Sequence, residues 1–487
     1  MKKILSLALI IGLIISCHGD LEPEVYTNIS PLVFPRTGDD VKAAVTANYN
    51  SIGGGQGGRL FALNVDGVNL WPELSTDIMT CQWGAFWIPL TIFGWNSGSD
   101  LDMSRTTFAR YNTISQAELT IDRIKDVEMD EALKKRYIAE LEGIKGWVAF
   151  VLYDLYGPIP VAPLEVLKDP LDETILERPS KEWMVEYIST TLRKAANDLP
   201  VTYEEQDSGR ITKGAALMVL LKLYLHEKDW KNLESTAREI MALNQYELLP
   251  DYASIFTKEN QGNKEVIYAV PATMDYGNVW MTHTLSGNYK TDNPNIAKWG
   301  GYRMRWSFFD TFEPEDKRLE VIAYDYVGTD GVRYNKSNPG SYLEKGPMAI
   351  KYGEDLDQIG NQSSIDAIVY RYSDVLLSLA EAIANGASPN QESIDLINQV
   401  RNRAGLSDLK LVDYMNIDSF NEMILLERGH ELFAEGGRRQ DQVRHGTYIE
   451  FGKTIVGSQA AEHKVLFPIP QEFIDEGQGK ILQNPGY

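Results

Sequence analysis

The chain has 487 residues, 43% of them hydrophobic and 24% charged, which is an ordinary globular composition with ample apolar material for a large core. Single cores stop growing near roughly 250–300 residues, so this length calls for several domains or for a stack of helices with loops built onto it. A formal net charge of −22 argues against nucleic acid, whose counterions only a basic surface displaces, and against docking on an anionic membrane face. Its plain consequence is solubility.

Residues 1–16 read as a secretory signal. Lys2 and Lys3 form a basic start, Ile4 to Ile15 is an almost unbroken apolar run, and Ser16 precedes Cys17. The run is too short to span a bilayer as a mature helix. A small residue before a cysteine, behind Ile14 and Ile15, fits a bacterial lipobox, so Cys17 is the expected lipidation site. Several acyl chains on one residue anchor firmly where a single chain is marginal. A plain signal peptide that happens to contain cysteine is the alternative. Residues 17–29 are polar, with Asp20, Glu22, Pro23 and Glu24, and the segment 17–37 reads as a tether between lipid and fold. With Cys17 acylated, Cys81 stands alone, without a disulfide framework or a zinc cluster.

From residue 38 onward the dominant period is helical. Asp39 is placed to cap a helix carrying Val41, Ala44, Val45 and Tyr49. Ile114, Ala117, Ile121 and Ile124 fall on one face, and Leu133, Tyr137, Leu141, Ile144, Val148, Val151 and Leu155 continue the spacing up to Gly157-Pro158. Met184, Ile188, Leu192, Ala195 and Leu199 form the next stripe. Ala215 to Leu225 is apolar nearly all round, which predicts deep burial. Trp230, Leu233, Ala237 and Ile240 follow. Later stripes are Tyr372, Val375, Leu379 and Ile383, then Ile394, Ile397 and Val400; Phe420, Ile424 and Leu425 begin a last long helix. Short breaks at Glu128 to Asp130, Glu227 to Asp229 and Asn385 to Asn390 pair these helices into hairpins. The predicted fold is therefore mainly α, a tetratricopeptide-like stack whose repeat signature is degenerate.

Two stretches break the pattern, at about 51–105 and about 251–364. The first opens with the Gly53 to Gly58 run, and the second carries short β-like pieces such as Val266 to Val270. Loops of this length in a compact protein usually carry function. Seven of the ten tryptophans fall in them: Trp71, Trp83, Trp87, Trp95, Trp280, Trp299 and Trp306. Tyr276, Tyr302, Phe86 and Phe93 join them, with Asp66, Asn69, Asp77, Asn96, Asp100, Asn278, Arg303 and Arg305 as polar neighbours. Aromatic faces on loops above a rigid frame suit stacking on sugar rings or apolar ligand groups, while some of these indoles will build small cores beneath the loops.

Catalytic and cofactor signatures are missing. The Gly53 to Gly58 run lacks the Gly-Lys-Ser/Thr of a phosphate loop, Ser97-Gly98 lacks the first glycine of a nucleophile elbow, and His430-Glu431 lacks the second histidine of a zinc protease. No carboxylate pair is singled out by a supporting motif. Glu427, Glu431 and Glu435, four apart with Arg428, Arg438, Arg439 and Arg444 nearby, read as an ion-pair network that ties down the last helix. No cofactor is implied. Structural calcium on loop carboxylates stays open, although no D-x-D-x-D-G loop occurs.

Four C-terminal segments carry a resemblance. Arg371-Tyr372 through Leu376-Leu377 to Ala380-Glu381-Ala382 resembles the R-Y-x-x-x-L-L-x-x-A-E-A helix of the SusD/RagB family. Ile397-Asn398 through Val400-Arg401 to Arg403-Ala404-Gly405 resembles its I-N-x-V-R-x-R-A-G helix. Glu427-Arg428 through Glu435-Gly436 to Arg444, and Phe467-Pro468-Ile469-Pro470 through Gln483-Asn484-Pro485-Gly486-Tyr487, resemble its later motifs. Tyr156-Gly157-Pro158 to Pro160 and Arg210-Ile211-Thr212-Lys213 look like its earlier ones.

The resemblance implies one helical domain over 38–487, a superhelix of four tetratricopeptide-like hairpins with ligand loops on one side. It also implies a place at the outer-membrane surface of a Bacteroidota cell and a role as lid of a SusC-like TonB-dependent transporter, handing over glycans without catalysis. A peptide-binding member of the family, an assembly scaffold and a helical-scaffold surface glycoside hydrolase are the alternatives. The shared motifs belong to the frame and do not identify the ligand. The expected ligand set, placed where related proteins carry ligand aromatics, is Asp77, Trp83, Trp87, Trp95, Asn96, Trp280, Trp299, Tyr302 and Trp306.

Overall fold

The computed structural model describes residues 34–487 apart from 54–59, 62–66, 85–86, 100 and 170. The expected signal, Cys17 and most of the tether lie outside the described residues, as do most of the glycine run, Asp66, Phe86 and Asp100.

The predicted helices form close to where their periodicity places them. Helix α1 (Gly38–Tyr49) is capped by Thr37 and not by Asp39. Thr37 Oγ1 accepts from the Asp40 amide at 3.2 Å, and Asp40 Oδ2 accepts from the Thr37 amide at 3.0 Å, a reciprocal box that satisfies two donors where Asp39 would satisfy one. Helix α2 (Tyr111–Ile124) is followed by α3 (Glu131–Tyr156), whose cap Asp130 accepts from the Leu133 amide at 2.8 Å. Helix α3 stops at Gly157, which takes φ +74°. Then come α4 (Lys181–Asp198), α5 (Lys213–Glu227), α6 (Trp230–Ala242), α7 (Tyr372–Gly386), α8 (Gln391–Arg403) and α9 (Ile417–Leu432).

Each helix packs on its successor from α2 through α8, α1 lies across α2 and α3, and α9 returns onto α7. This serial contact is what a stack of hairpins requires, and the mainly helical superhelix is what the fold shows. Helix α5 sits innermost, against α3, α4, α6 and α7, with Ala215 to Leu223 buried all round. Each such leucine contributes about 1.5–3 kcal/mol by leaving water. Helices α3 and α4 approach closely because Gly146 carries no side chain: a β-carbon there would lie 2.7 Å from Leu192 Cγ.

The acidic triplet does form a buried network, with other partners than its sequence neighbours. Arg318 reaches Glu427 at 2.7 Å and Glu431 at 3.3 Å; Arg371 reaches Glu265 at 2.9 Å, Glu435 at 2.8 Å and also Glu431; Arg403 reaches Glu265 at 3.1 Å and also Glu431. Glu435 lies beyond the end of α9 and pairs with Lys351 as well. The nearby arginines bind elsewhere: Arg428 to Asp374 and Asp441, Arg438 to Asp77, Arg439 to Asp154, and Arg444 to Glu381. The last long helix is thus clamped to the second loop region and to α7, and the segment after it to the first loop region and α3.

Short antiparallel ladders fasten the loops. Strand β1 (Met79–Cys81), strand β2 (Val266–Val270), strand β3 (Tyr302–Met304) and strand β4 (Ala367–Arg371) pair as β1 with β3 and β2 with β4. Val266 faces Arg371, so β2 stitches the second loop region directly onto the start of α7.

Candidate ligand-binding surface

The pairing of β1 with β3 builds the candidate site. Met79 faces Met304, Thr80 faces Arg303 and Cys81 faces Tyr302, so one insertion is laid antiparallel along the other. Contact continues past the ladder, where the Gln82 amide donates to the Gly301 carbonyl at 2.8 Å and Gln82 Nε2 to the Gly300 carbonyl at 3.1 Å. Trp83 therefore falls beside Trp299, and its indole N–H donates to the Trp299 carbonyl at 3.1 Å.

Four aromatic rings gather at this point. Trp83 lies 5.2 Å from Trp87, 6.3 Å from Trp299 and 5.6 Å from Tyr302, with the ring planes tilted in each case. Trp87 meets Tyr302 edge-on at 5.7 Å. Trp299 is 47% exposed, Trp83 and Trp87 are half-buried, and Tyr302 forms the floor. Ile88 and Ile92, both exposed, lie on the turn that follows Trp87.

The floor is fixed from below. Arg303 is fully buried and spends its guanidinium on backbone, donating to the carbonyls of Thr284 at 2.7 Å, Tyr302 at 2.6 Å and Tyr342 at 2.8 Å and to Ser286 Oγ at 2.6 Å. Burial lowers its pKa to about 10, still far above neutrality. Arg305 donates to the carbonyls of Thr76 and Met79 at 3.0 Å each and lies over the Phe451 ring. The two arginines named as polar neighbours of a ligand are struts of the platform.

Other expected ligand residues are used differently. Trp95 is fully buried, stacked on Phe93 at 5.1 Å, and donates to Tyr487 Oη at 2.9 Å; it anchors the C-terminal segment and offers no face to a ligand. Trp280 is buried with its N–H on the Ala349 carbonyl at 2.7 Å. Both lie inward because an indole on a loop without a regular ladder is the largest apolar group available to close it. Asp77 makes a two-point bridge to Arg438, at 2.8 and 2.6 Å, which commits both its oxygens. Asn96 is exposed and closes its own turn by accepting from the Gly98 amide at 2.9 Å. Trp306 is half-buried, donates to the Leu343 carbonyl at 2.9 Å and packs on a separate cluster with Leu343, Tyr334 and Met348. Trp83, Trp87, Trp299 and Tyr302 are the members that come together.

One residue of the cluster carries no signal in the sequence. His283, within a short helical turn (Trp280–Thr284), lies edge-on to Trp83 at 5.3 Å and to Tyr302 at 5.1 Å, and face-on to Trp299 at 5.2 Å. Burial holds its pKa well below the usual value, at about 3. Among the described residues no group of three or more His, Cys, Asp or Glu is placed to hold a metal ion, and no helix is long and apolar enough to cross a membrane.

Comparison with known proteins agrees with this frame. Residues 264–487 match the model of the SusD family. A SusD-like protein of Formosa agariphila is 25% identical over 481 residues, covering 89% of this chain and 88% of its own. A SusD homologue from Bacteroides thetaiotaomicron shares the fold with a TM-score of 0.79 at 21% identity, over 94% of this chain and 98% of that one. Surface glycan-binding protein A from Bacteroides thetaiotaomicron, in complex with laminarihexaose, aligns with a TM-score of 0.74 at 19% identity, over 92% and 99%. The chain is thus similar to the SusD family: the sequence model matches from 264 to the C-terminus, a SusD-like relative aligns along most of both chains, and the helical stack is shared almost end to end.

Proposed function

We propose that this chain captures oligosaccharides on the Trp83–Trp87–Trp299 platform and passes them intact to a SusC-like TonB-dependent transporter, held at the outer face of the outer membrane by lipid on Cys17. The observation that carries the reading is the platform itself: partly exposed indoles gathered in one place, with Trp83 held by its N–H on the Trp299 carbonyl. A sugar ring presents axial C–H faces that stack on such rings while its hydroxyls stay in reach of polar groups at the rim. A surface glycan-binding protein of the same fold is known in complex with laminarihexaose, which supports a glycan as the ligand class. Capture needs no covalent step, so no catalytic residue is assigned.

The test is calorimetric titration of the purified lipoprotein in detergent with laminari-oligosaccharides and a panel of other glycans. Trp83→Ala and Trp299→Ala each weaken binding at least about tenfold, in line with the loss of a buried aromatic contact, and the recovered glycan keeps its length. Unchanged affinity in both variants, or shortened product, overturns capture. Delivery is tested separately: the chain co-purifies with a large β-barrel protein from detergent extracts, and repeated recovery alone overturns the handover.

A further inference from the structure

The His283 ring is 0% exposed and enclosed by Trp83, Trp299 and Tyr302. Its backbone is committed: the amide donates to the Val279 carbonyl at 3.0 Å, and the carbonyl accepts from the Gly301 amide at 2.7 Å. Its ring nitrogens are not. Neither Nδ1 nor Nε2 has a hydrogen-bond partner among the described residues. A neutral imidazole carries one donor and one acceptor, and folded interiors rarely leave either unpaired because each costs its full desolvation. Phenylalanine would fill the same aromatic box without that cost, so packing does not account for a histidine here.

The box has one thin wall. Trp83 is pinned through its N–H and Tyr302 belongs to a strand, whereas Trp299 is held by its backbone, the amide donating to the Thr282 carbonyl at 2.8 Å. Its indole is nearly half exposed and lies about parallel to the imidazole, 30° between the planes. A side-chain rotation of Trp299, with no change in the backbone, would bring His283 to the surface of the platform.

We propose that His283 is a ligand-contacting residue, covered by the Trp299 indole in the free protein and uncovered when that indole turns to stack on a bound hydroxylated ring. A sugar hydroxyl then accepts from the ring N–H or donates to the bare nitrogen, which a purely apolar ring stacked on the platform could not do. His283 thereby selects polyols among ligands that stack. The inference rests on the reading of the platform as the capture surface.

The test uses His283→Phe, which keeps the aromatic volume and removes both nitrogens, in the full purified lipoprotein with laminarin and the glycan panel as probes. The melting temperature of His283→Phe equals or exceeds that of the wild type, while affinity for the bound glycan falls roughly five- to tenfold, the worth of one hydrogen bond. Diethyl pyrocarbonate modifies His283 slowly in the wild type and faster in Trp299→Ala. Wild-type affinity in His283→Phe together with loss in Trp83→Ala overturns the role of His283 and leaves capture standing. Wild-type affinity in both, or no binding to any glycan of the panel, overturns both readings. A lowered melting temperature in His283→Phe, or equal modification rates, overturns the covered-imidazole argument.

Discussion

Trp83 rests on the bare backbone of Gly301: a β-carbon at 301 would lie 2.2 Å from Trp83 Cε2 and 2.4 Å from Cζ2. The glycine is what lets an indole from the first insertion settle onto the second, next to the strand pair that joins them. Gly301→Ala therefore displaces the Trp83 ring. Overpacking of this kind costs about 1–3 kcal/mol, read as a lower urea midpoint. A change in near-ultraviolet circular dichroism and weaker glycan binding accompany it. Unaltered aromatic signal and affinity would show that Trp83 does not depend on this contact.

The tryptophans divide into two kinds that mutation separates. Trp95 is enclosed and hydrogen-bonded to Tyr487, so Trp95→Ala costs about 3–5 kcal/mol of stability. Trp299 is nearly half exposed, so Trp299→Ala costs less than about 1 kcal/mol while lowering glycan affinity. Thermal unfolding and titration of the same two variants check both halves, and equal destabilisation contradicts the division.

Glu431 receives Arg318, Arg371 and Arg403 in a fully buried site. Although burial alone would raise its pKa, these guanidinium groups hold the carboxyl far below the usual range. Glu431→Gln leaves buried cations uncompensated and costs about 3–5 kcal/mol, measured by denaturant unfolding. An effect below about 1 kcal/mol would mean that Glu265, Glu427 and Glu435 suffice.

Glu73 should make the fold sensitive to base. Burial, partly opposed by Lys351, raises its carboxyl from 4.5 to about 8, and Oε1 has no partner among the described residues. The folded chain keeps the proton that the unfolded chain releases above pH 4.5, so stability is full below that value and falls as pH rises to about 8. Glu73→Gln removes this dependence. Its stability relative to the wild type grows by at least about 2 kcal/mol between pH 5 and pH 8. A difference that stays constant over that range contradicts the assignment.

At the acid end, Asp374 behaves in the opposite sense. Lys222 and Arg428 outweigh its burial and bring its carboxyl from 3.8 to about 2. Its contribution is present above pH 3.8 and is lost as pH falls through about 2. Asp374→Asn flattens the acid limb of the stability curve in that interval, and an unchanged limb would place the acid sensitivity on other carboxylates.

Most of the frame was legible in the chain because its signals are local. The spacing of Ile114, Ala117, Ile121 and Ile124, the stop at Gly157-Pro158 and the all-apolar Ala215 to Leu225 each read off a helix, a boundary or its burial correctly. The C-terminal motifs carried the family resemblance for the same reason, and the family model matches the segment that holds them. The acidic triplet was recognised as a network, but its partners were misread, since Arg318, Arg371 and Arg403 approach from other elements.

The candidate site was legible only as a neighbourhood. Tryptophan enrichment pointed to the two insertions, yet Trp83, Trp87 and Trp299 face outward while Trp95 and Trp280 face inward, and nothing next to them in the chain distinguishes the two groups. His283 lies between two threonines with no pattern around it. By itself the sequence determined a stack of paired helices and the family it resembles, because periodicity, capping and short motifs act over a few residues. Which rings meet, which are buried and which imidazole lies beneath them was decided only in three dimensions. That choice depends on β1 pairing with β3 and on Trp83 reaching the carbonyl of Trp299, 216 positions away.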